Sequence, residues 1–373
     1  MPYMLKDRLF VSIQFNGREM PFDVNALDYV HISSSVRTFL PILTFKITDI
    51  QKFLTLNNFL VDGTRITITV GKNQQKAGYN FRLFSFQEMP SASPSYVIRA
   101  YLDHPLYWTS SITEIQRGTT NKVLEEIARR CGMTYQGVNT SDVQAWIPQN
   151  LKLAEYARRL RDRGWINDSS CMQLGVTVGG TMRYRNVSDF ATYPVLDYFA
   201  TTKITDRVKP MTDYKIVNKA GFFNVSSGYG ERRISQSVDR EDEDYSKLSL
   251  RKNSAKLMMN TSVQGAITQN KVAFAPINVG NVHANYERAL YQNRRMASFF
   301  GLGMELMTPS FTEADLMDVV SVEVETPEIK GNRQYSGKYL VTSKVIYTQG
   351  ANYYEKIELA RHGLNEPRED TQV

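Results

Sequence analysis

The stretch Ser336-Gly337-Lys338-Tyr339-Leu340-Val341-Thr342-Ser343-Lys344-Val345 decides how the chain reads. It is closed by Tyr353-Tyr354 and by Ile357-Glu358-Leu359-Ala360-Arg361. β-Branched and aromatic residues bounded by Gly and Asn read as strands. The last third carries three such signals, Met317–Thr326, Ser336–Tyr347 and Asn352–Ala360, after a strand signal that ends at Pro309. Before them, Asn281 to Phe300 has a helical period. Tyr286, Ala289, Leu290, Asn293, Ala297 and Phe300 fall along one face.

The first third repeats the period of two. Leu9, Val11, Ile13 and Phe15 alternate with Phe10, Ser12 and Gln14. Ile66, Ile68 and Val70 alternate with Thr67 and Thr69 after an Asp62-Gly63 turn. Phe81–Phe86 and Tyr96–Leu102 read the same way, and Thr48–Leu60 has room for a short helix. Several half-buried strands at this spacing predict a barrel or sandwich over residues 1–108.

At Thr109 the period changes. Thr119/Thr120 can cap a helix with Val123, Leu124, Ile127, Ala128 and Cys131 inward and Gly132 as its C′ residue. A second helix after Asn150 turns Leu153, Tyr156, Ala157 and Leu160 inward and stops at Gly164. Cys171–Val178, Gly179-Gly180 and Thr181–Arg185 predict a hairpin with a tight primed turn. Residues 109–203 thus read as a small α+β module. Strand-like text returns at Tyr214–Val217, Phe222–Val225 and Arg233–Val238.

The expected organisation is a β domain (1–108), the α+β module (109–203) and a second β domain (204–240 and 315–365). The second β domain is interrupted by an insertion (241–314) that contains the helix 281–300, and a polar tail follows (366–373). Asp62–Val70 and Asp318–Val324 are both Asp-led strands, which fits a duplicated barrel.

Composition narrows the function classes. Hydrophobic residues make up 42% and charged residues 22%, as in a globular protein with real cores. The 18 Phe and 21 Tyr suit pleated, half-buried surfaces. The net charge of +7 is spread thinly. There are 11 basic and 8 acidic residues over 1–108, 11 and 9 over 109–200, 8 and 4 over 201–240, and 15 and 17 over 241–373. No segment carries a concentrated basic footprint for nucleic acid. Met1–Phe10 lacks the apolar core of a signal peptide. No run approaches the roughly 18 apolar residues that span a membrane.

The chemistry-bearing residues are scattered. His31, His104, His283 and His362 lack metal-ligand spacing. Cys131 lies on a helix stripe and Cys171 opens a strand, so both read as buried packing. Gly175, Gly179 and Gly180 form no phosphate cradle, because no Gly-Lys-Ser/Thr follows. The acidic run Asp239–Asp244 lacks the Gly and terminal Glu of a calcium loop and reads as solvated. Arg158, Arg159, Arg161 and Arg163 spread around a helix, with Glu155 and Asp162 among them. They read as a solvated face, or secondarily as partners in inter-subunit salt bridges. No catalytic residue, cofactor or metal is expected.

In its order of elements the chain resembles the baseplate hub proteins of contractile phage tails, relatives of the base of type VI secretion spikes. Pro41–Ile50 with Asp62–Ile68 resembles the first tail-tube-like barrel of that family. Gly118–Gly132, Trp146–Trp165 and Met172–Asp189 resemble its helix–helix–hairpin module. The helix from Asn281, Gly301–Met307 and Gly337–Arg361 resemble its closing barrel.

The resemblance implies a mainly β fold with an α+β insertion, built from two tail-tube-like β-barrel domains, the small module and a peripheral insertion. It implies a homotrimer forming a pseudo-six-fold ring, with a tail-tube protein above, a trimeric spike below and baseplate wedge proteins around it. DNA would pass through the lumen, and the protein would reside in the virion after synthesis in the host cytoplasm. Ile66, Ile68, Val341 and Val345 are the candidate core or oligomer-contact residues, with core the stronger reading. A tailocin or secretion-spike hub is the near alternative. A nucleic-acid-binding protein is the distant one, to be told apart by salt-dependent DNA affinity. A cell-wall hydrolase would need a carboxylate pair or metal site that the sequence does not display.

Overall fold

The computed structural model describes residues 9–22, 26–72, 75–89, 93–167, 170–202, 204–205, 207–218, 302–324, 335–350 and 352–361. Three short strands, Arg232–Gln236, Tyr245–Ser249 and Val272–Phe274, are described as backbone. The helix expected over 281–300, the acidic run Asp239–Asp244 and the tail 366–373 lie outside the described residues.

Strands dominate, as the alternating text predicts. One mixed sheet of 14 strands runs through both β units. In the first unit the antiparallel order is Leu9–Phe15, Arg65–Lys72, Gln75–Met89, Ser95–Leu102, Ile42–Thr48, Leu27–Ser35. The Leu9–Phe15 strand turns back through Asn16-Gly17, with φ of 49° and 81°, as a two-residue primed turn requires.

The decisive element is the 13-residue strand Gly337–Gln349. Its first residues pair with Val319–Glu323 of the second unit, from Val322↔Gly337 to Val319↔Leu340. From Ser343 onward it pairs on that same edge with Leu27–Ser35 of the first unit, from Ser343↔Ser35 to Gln349↔Tyr29. Asn352–Arg361 follows it along the other edge. The change of partner coincides with a break in register between Val341 and Ser343. Such an irregularity bends a strand and increases its twist, and so re-aims it.

The resemblance led us to expect two barrels. Among the described residues the strand ladder does not close; one long strand is instead shared by both units. The sheet does curl. Lys72 Nζ reaches the carbonyl of Pro309 at 3.4 Å, and the Tyr79 phenol pKa is raised by burial, then by Asp315 and Glu355 of the second unit.

Among the described residues, three apolar clusters form. The largest joins the first sheet, including Ile13, Phe45 and Ile98, to the module through Leu124, Ile127, Leu160 and Met182. The second lies inside the second unit around Phe199, Met304, Val341 and Ile357. The third, with Val36, Cys171, Leu340 and Ala360, lies where the module meets both units.

The module follows its sequence closely. Thr119 Oγ1 accepts from Lys122 N at 3.4 Å at the start of helix Thr120–Arg130. At its end Gly132 has φ 67°, with Gly132 N→Arg129 O at 3.1 Å and Met133 N→Ala128 O at 2.9 Å. These are the paired bonds of a Schellman cap. Helix Leu153–Arg163 buries Leu153, Ala154, Tyr156, Ala157 and Leu160 and ends at Gly164. The hairpin forms between Met172–Val176 and Thr181–Asn186. Its turn differs from the expected tight form. Thr177 N bonds Thr181 O, and only Gly180 takes a positive φ, 81°, so three residues make the loop.

Gly164 has no room for a side chain, because a Cβ there would lie 1.6 Å from the hydroxyl of Tyr184, itself fully buried. We expect Gly164→Ala to cost about 1–3 kcal/mol by overpacking. Chemical denaturation checks this, and adding Tyr184→Phe should recover part of the loss.

Candidate functional site

The polar groups that organise the molecule gather where the units meet. Lys344 sits on the shared strand and is 5% exposed; Glu355 on the return strand is fully buried. Lys344 Nζ donates to the carbonyls of Thr312 and Ala314, both at 3.0 Å, and lies 3.3 Å from Glu355 Oε2. Thr312 N donates to Glu355 Oε1 at 3.2 Å, its hydroxyl donates to Oε2, and Tyr353 OH donates to Oε1 at 2.5 Å. Burial, then the neighbouring carboxylate, pushes the Tyr353 phenol well up, which keeps it a donor. The cluster ties the segment after Pro309 to both strands.

Asp197, also buried, continues the brace. It accepts from Ala314 N at 2.7 Å and from Lys209 Nζ. Asp318 holds the module to the same segment. Arg183 Nη1 lies 2.7 Å from its Oδ2 and donates to Leu316 O at 2.7 Å. Arg185 Nη1 lies 3.4 Å from Oδ1 and donates to Met317 O at 2.9 Å. Inside the module, buried Asp142 accepts from Thr120 N at 2.9 Å, Thr120 Oγ1 at 2.5 Å and Trp165 N at 2.9 Å. That carboxylate caps a helix and pins the chain after the next one.

The outer surface of the first unit is aromatic. Phe84 stacks on Tyr101 with centroids 4.1 Å apart, Tyr101 on Trp108 at 5.7 Å, and Phe39 meets Trp108 edge-on at 5.0 Å. The Arg158 guanidinium caps the row, 3.5 Å from the Phe39 centroid. Phe84, Phe86 and Met89 are exposed on the Gln75–Met89 strand. Leu83 still bonds Gly63 and Thr64 through its backbone, and beyond it that strand has no ladder partner on its outer side among the described residues.

Groups suited to catalysis are dispersed. His31 is half-buried, and desolvation, then Lys356, lowers its pKa. His104 Nδ1 lies 3.0 Å from Cys131 O. Cys131 and Cys171 are buried free thiols, and desolvation lifts the Cys131 pKa to about 12. Among the described residues no group of three or more His, Cys, Asp or Glu could hold a metal ion. No helix among them is long and apolar enough to cross a membrane.

Of the four residues singled out from sequence, Ile66 and Ile68 are fully buried in the largest cluster and Val341 in the second; Val345 is half-buried. They are not brought together into one site. The arginine row is more engaged than a solvated face. Arg158 Nη2 donates to Arg37 O at 2.6 Å, Arg161 pairs with Asp162 at 2.7 Å and reaches Gln173 at 3.3 Å, and Arg159 donates to Gln149 at 2.6 Å. Sequence reading passed over Lys344, Glu355, Asp318 and Arg183. Lys344 carried a usable signal: a cation on the same strand face as buried Ile346 and Thr348 must find partners inside.

No family model matches the chain, and no curated protein sequence matches it. Solved structures do. The chain is similar to the 43 kDa tail protein of prophage MuSo2 from Shewanella oneidensis, at 11% identity and a TM-score of 0.63, over 95% of this chain and 98% of that one. It is similar to the tail protein from Neisseria meningitidis MC58, at 10% identity and a TM-score of 0.58, over 95% and 96%. It is similar to the E. coli c3393 protein, a component of the type VI secretion system, at 9% identity and a TM-score of 0.51, over 95% and 79%. The fold is therefore that of phage tail proteins and of a type VI secretion component.

Removing the cation from the junction should be costly. Lys344→Met leaves Glu355 buried without its counter-charge, and we expect a loss of about 3–5 kcal/mol in chemical denaturation. Adding Glu355→Gln to that variant should restore at least half of it. The thiols give a second check. With Cys131 raised to about 12 by burial, thiolate is scarce below that pH. Both cysteines should resist a disulfide reagent at pH 8 in the native protein and react fully in denaturant.

Proposed function

We propose that the chain is a structural hub protein of a contractile phage-tail baseplate and is not an enzyme. Three copies form a pseudo-six-fold ring, each contributing two tube-like β units. The ring joins a tail-tube protein on one side to a trimeric spike on the other, with wedge proteins around it, and leaves a channel for genome ejection. In this reading the β domains are 1–108 and 204–240 with 315–365, and the module is 109–203. Ile66, Ile68 and Val341 are core residues, with Val345 nearer the contact surface. The protein resides in the virion after synthesis in the host cytoplasm.

The observation that carries the reading is likeness over almost the whole of both chains, 95% of this one and 98% of the Shewanella prophage tail protein. Physical features support it. A single sheet through both units suits a part that transmits load. An unpaired strand edge with exposed Phe86 and Met89 is a liability in a monomer, and a closed ring covers such edges. Thinly spread charge suits a channel that must not hold phosphates. The likeness to the E. coli type VI component favours one second reading, the base of a secretion or tailocin spike.

Sedimentation equilibrium on the purified chain tests the proposal. We expect a mass three times that of the chain and, in end-on images, a three-fold ring with six lobes. A single-chain mass at every concentration, unchanged when tube and spike proteins of the same particle are added, would overturn it.

A further inference from the structure

An open groove of about 490 Å³ runs between the module and the start of the second β unit, lined in part by Gln136, Arg183, Arg185, Tyr193, Leu196 and Asp318. It takes no part in the interior packing that the hub reading draws on, and its charges do not balance. Two guanidiniums face one carboxylate, and Asp318 is committed, since Oδ2 also accepts from Asp315 N at 2.9 Å. Arg183 spends Nε on Gln136 Oε1 at 3.1 Å and Nη1 on Leu316 O and Asp318.

Arg185 is used on one nitrogen only. Nη1 reaches Met317 O and Asp318, while Nε and Nη2 have no hydrogen-bond partner among the described residues. Its side chain is 26% exposed and lies over Tyr193, 5.4 Å from the ring centroid. Burial is the largest influence on the Arg185 pKa and lowers it, so the charge has lost part of its water. The Nε–Nη2 side of a guanidinium matches the two oxygens of a carboxylate.

The surroundings point to a peptide more than to an isolated anion. Tyr193, Pro194 and Leu196, the last 42% exposed, form an apolar wall beside the guanidinium. Gln136, Gly137 and Val138 also line the groove. Strand Thr134–Gly137 is the outer strand of its three-stranded sheet and pairs on one side only, with Thr181–Tyr184. An edge strand, an apolar wall and a half-used guanidinium together fit an extended chain that carries an acid.

We propose that this groove docks an extended acidic segment of a partner protein. One carboxylate takes the Nε–Nη2 side of Arg185, and a neighbouring apolar side chain rests on Tyr193, Pro194 and Leu196. The proposal does not depend on the hub reading and survives or fails separately.

Fluorescence anisotropy of the full chain with a labelled glutamate decamer tests it, with a glutamine decamer as control. The acidic peptide should bind, with affinity falling as salt rises, and the glutamine peptide should not. Arg185→Gln should weaken binding roughly tenfold or more, the value of one charge-assisted pair. Leu196→Asp changes an exposed wall residue and leaves the Asp318 pairs intact, so it should weaken binding even if Arg185→Gln folds poorly. Arg129→Gln, at an exposed arginine outside the groove's lining, should change nothing. Equal binding by wild type, Arg185→Gln and Leu196→Asp would overturn the proposal, as would no binding. Equal competition by a deoxythymidine oligomer would make it a general anion surface. Tighter probe binding after Glu241, Asp242, Glu243 and Asp244 are changed to their amides would assign the groove to the chain's own acidic run, against a partner.

Discussion

The buried pair of Lys344 and Glu355 is the constraint on which the architecture depends. A charge taken out of water must be paired and hydrogen-bonded or it destabilises the fold. Here the ammonium has two carbonyls and a carboxylate, and the carboxylate has a backbone amide and two hydroxyls. These partners come from the shared strand, the return strand and the segment between Pro309 and Asp318. Satisfying the pair therefore places that segment, and through Asp318 it places the module's Arg183 and Arg185. Buried ionic networks of this kind add modest net stability and can specify one arrangement over others.

The strand that carries Lys344 changes neighbours midway, and its register with the return strand breaks at that point. Before Val341 both faces are covered, by the second-unit cluster on one side and the cluster around Cys171 on the other. After Ser343 it pairs with Leu27–Ser35, and Ile346 joins the large cluster of the first unit. Two β units that could each turn independently are thereby made continuous. The proposed role as a ring between tube and spike needs that property, since a subunit that transmits force must not hinge at its middle.

Local elements were legible because their signals are local. Thr119 and Gly132 bound their helix as cap chemistry predicts, the second helix stops at Gly164 with an extended backbone, and the alternation at Ile66–Val70 places Ile66 and Ile68 inside. Asn16-Gly17 was an equally strong hairpin signal that the sequence reading passed over, and its φ angles are those of a primed turn. The long-range arrangement was not legible. Nothing in Ser336–Tyr347 says that one edge of the strand will serve two units, because pairing partners are set by packing across some 300 residues of chain. The same holds for the junction and the groove. Arg183 and Asp318 are ordinary charged residues in sequence and gain meaning only when the fold brings them within 2.7 Å. The Gly179-Gly180 turn was misread because two glycines permit a two-residue primed turn without requiring it.

The central claim is that the shared strand makes both β units one cooperative body. Hydrogen exchange along Gly337–Gln349 in graded urea tests it most directly. If the claim holds, amides paired with Val319–Glu323 and amides paired with Leu27–Ser35 open together, at the free energy of global unfolding. If the stretch before Val341 opens at a different free energy from the stretch after Ser343, the two units are separate bodies, and the claim is contradicted.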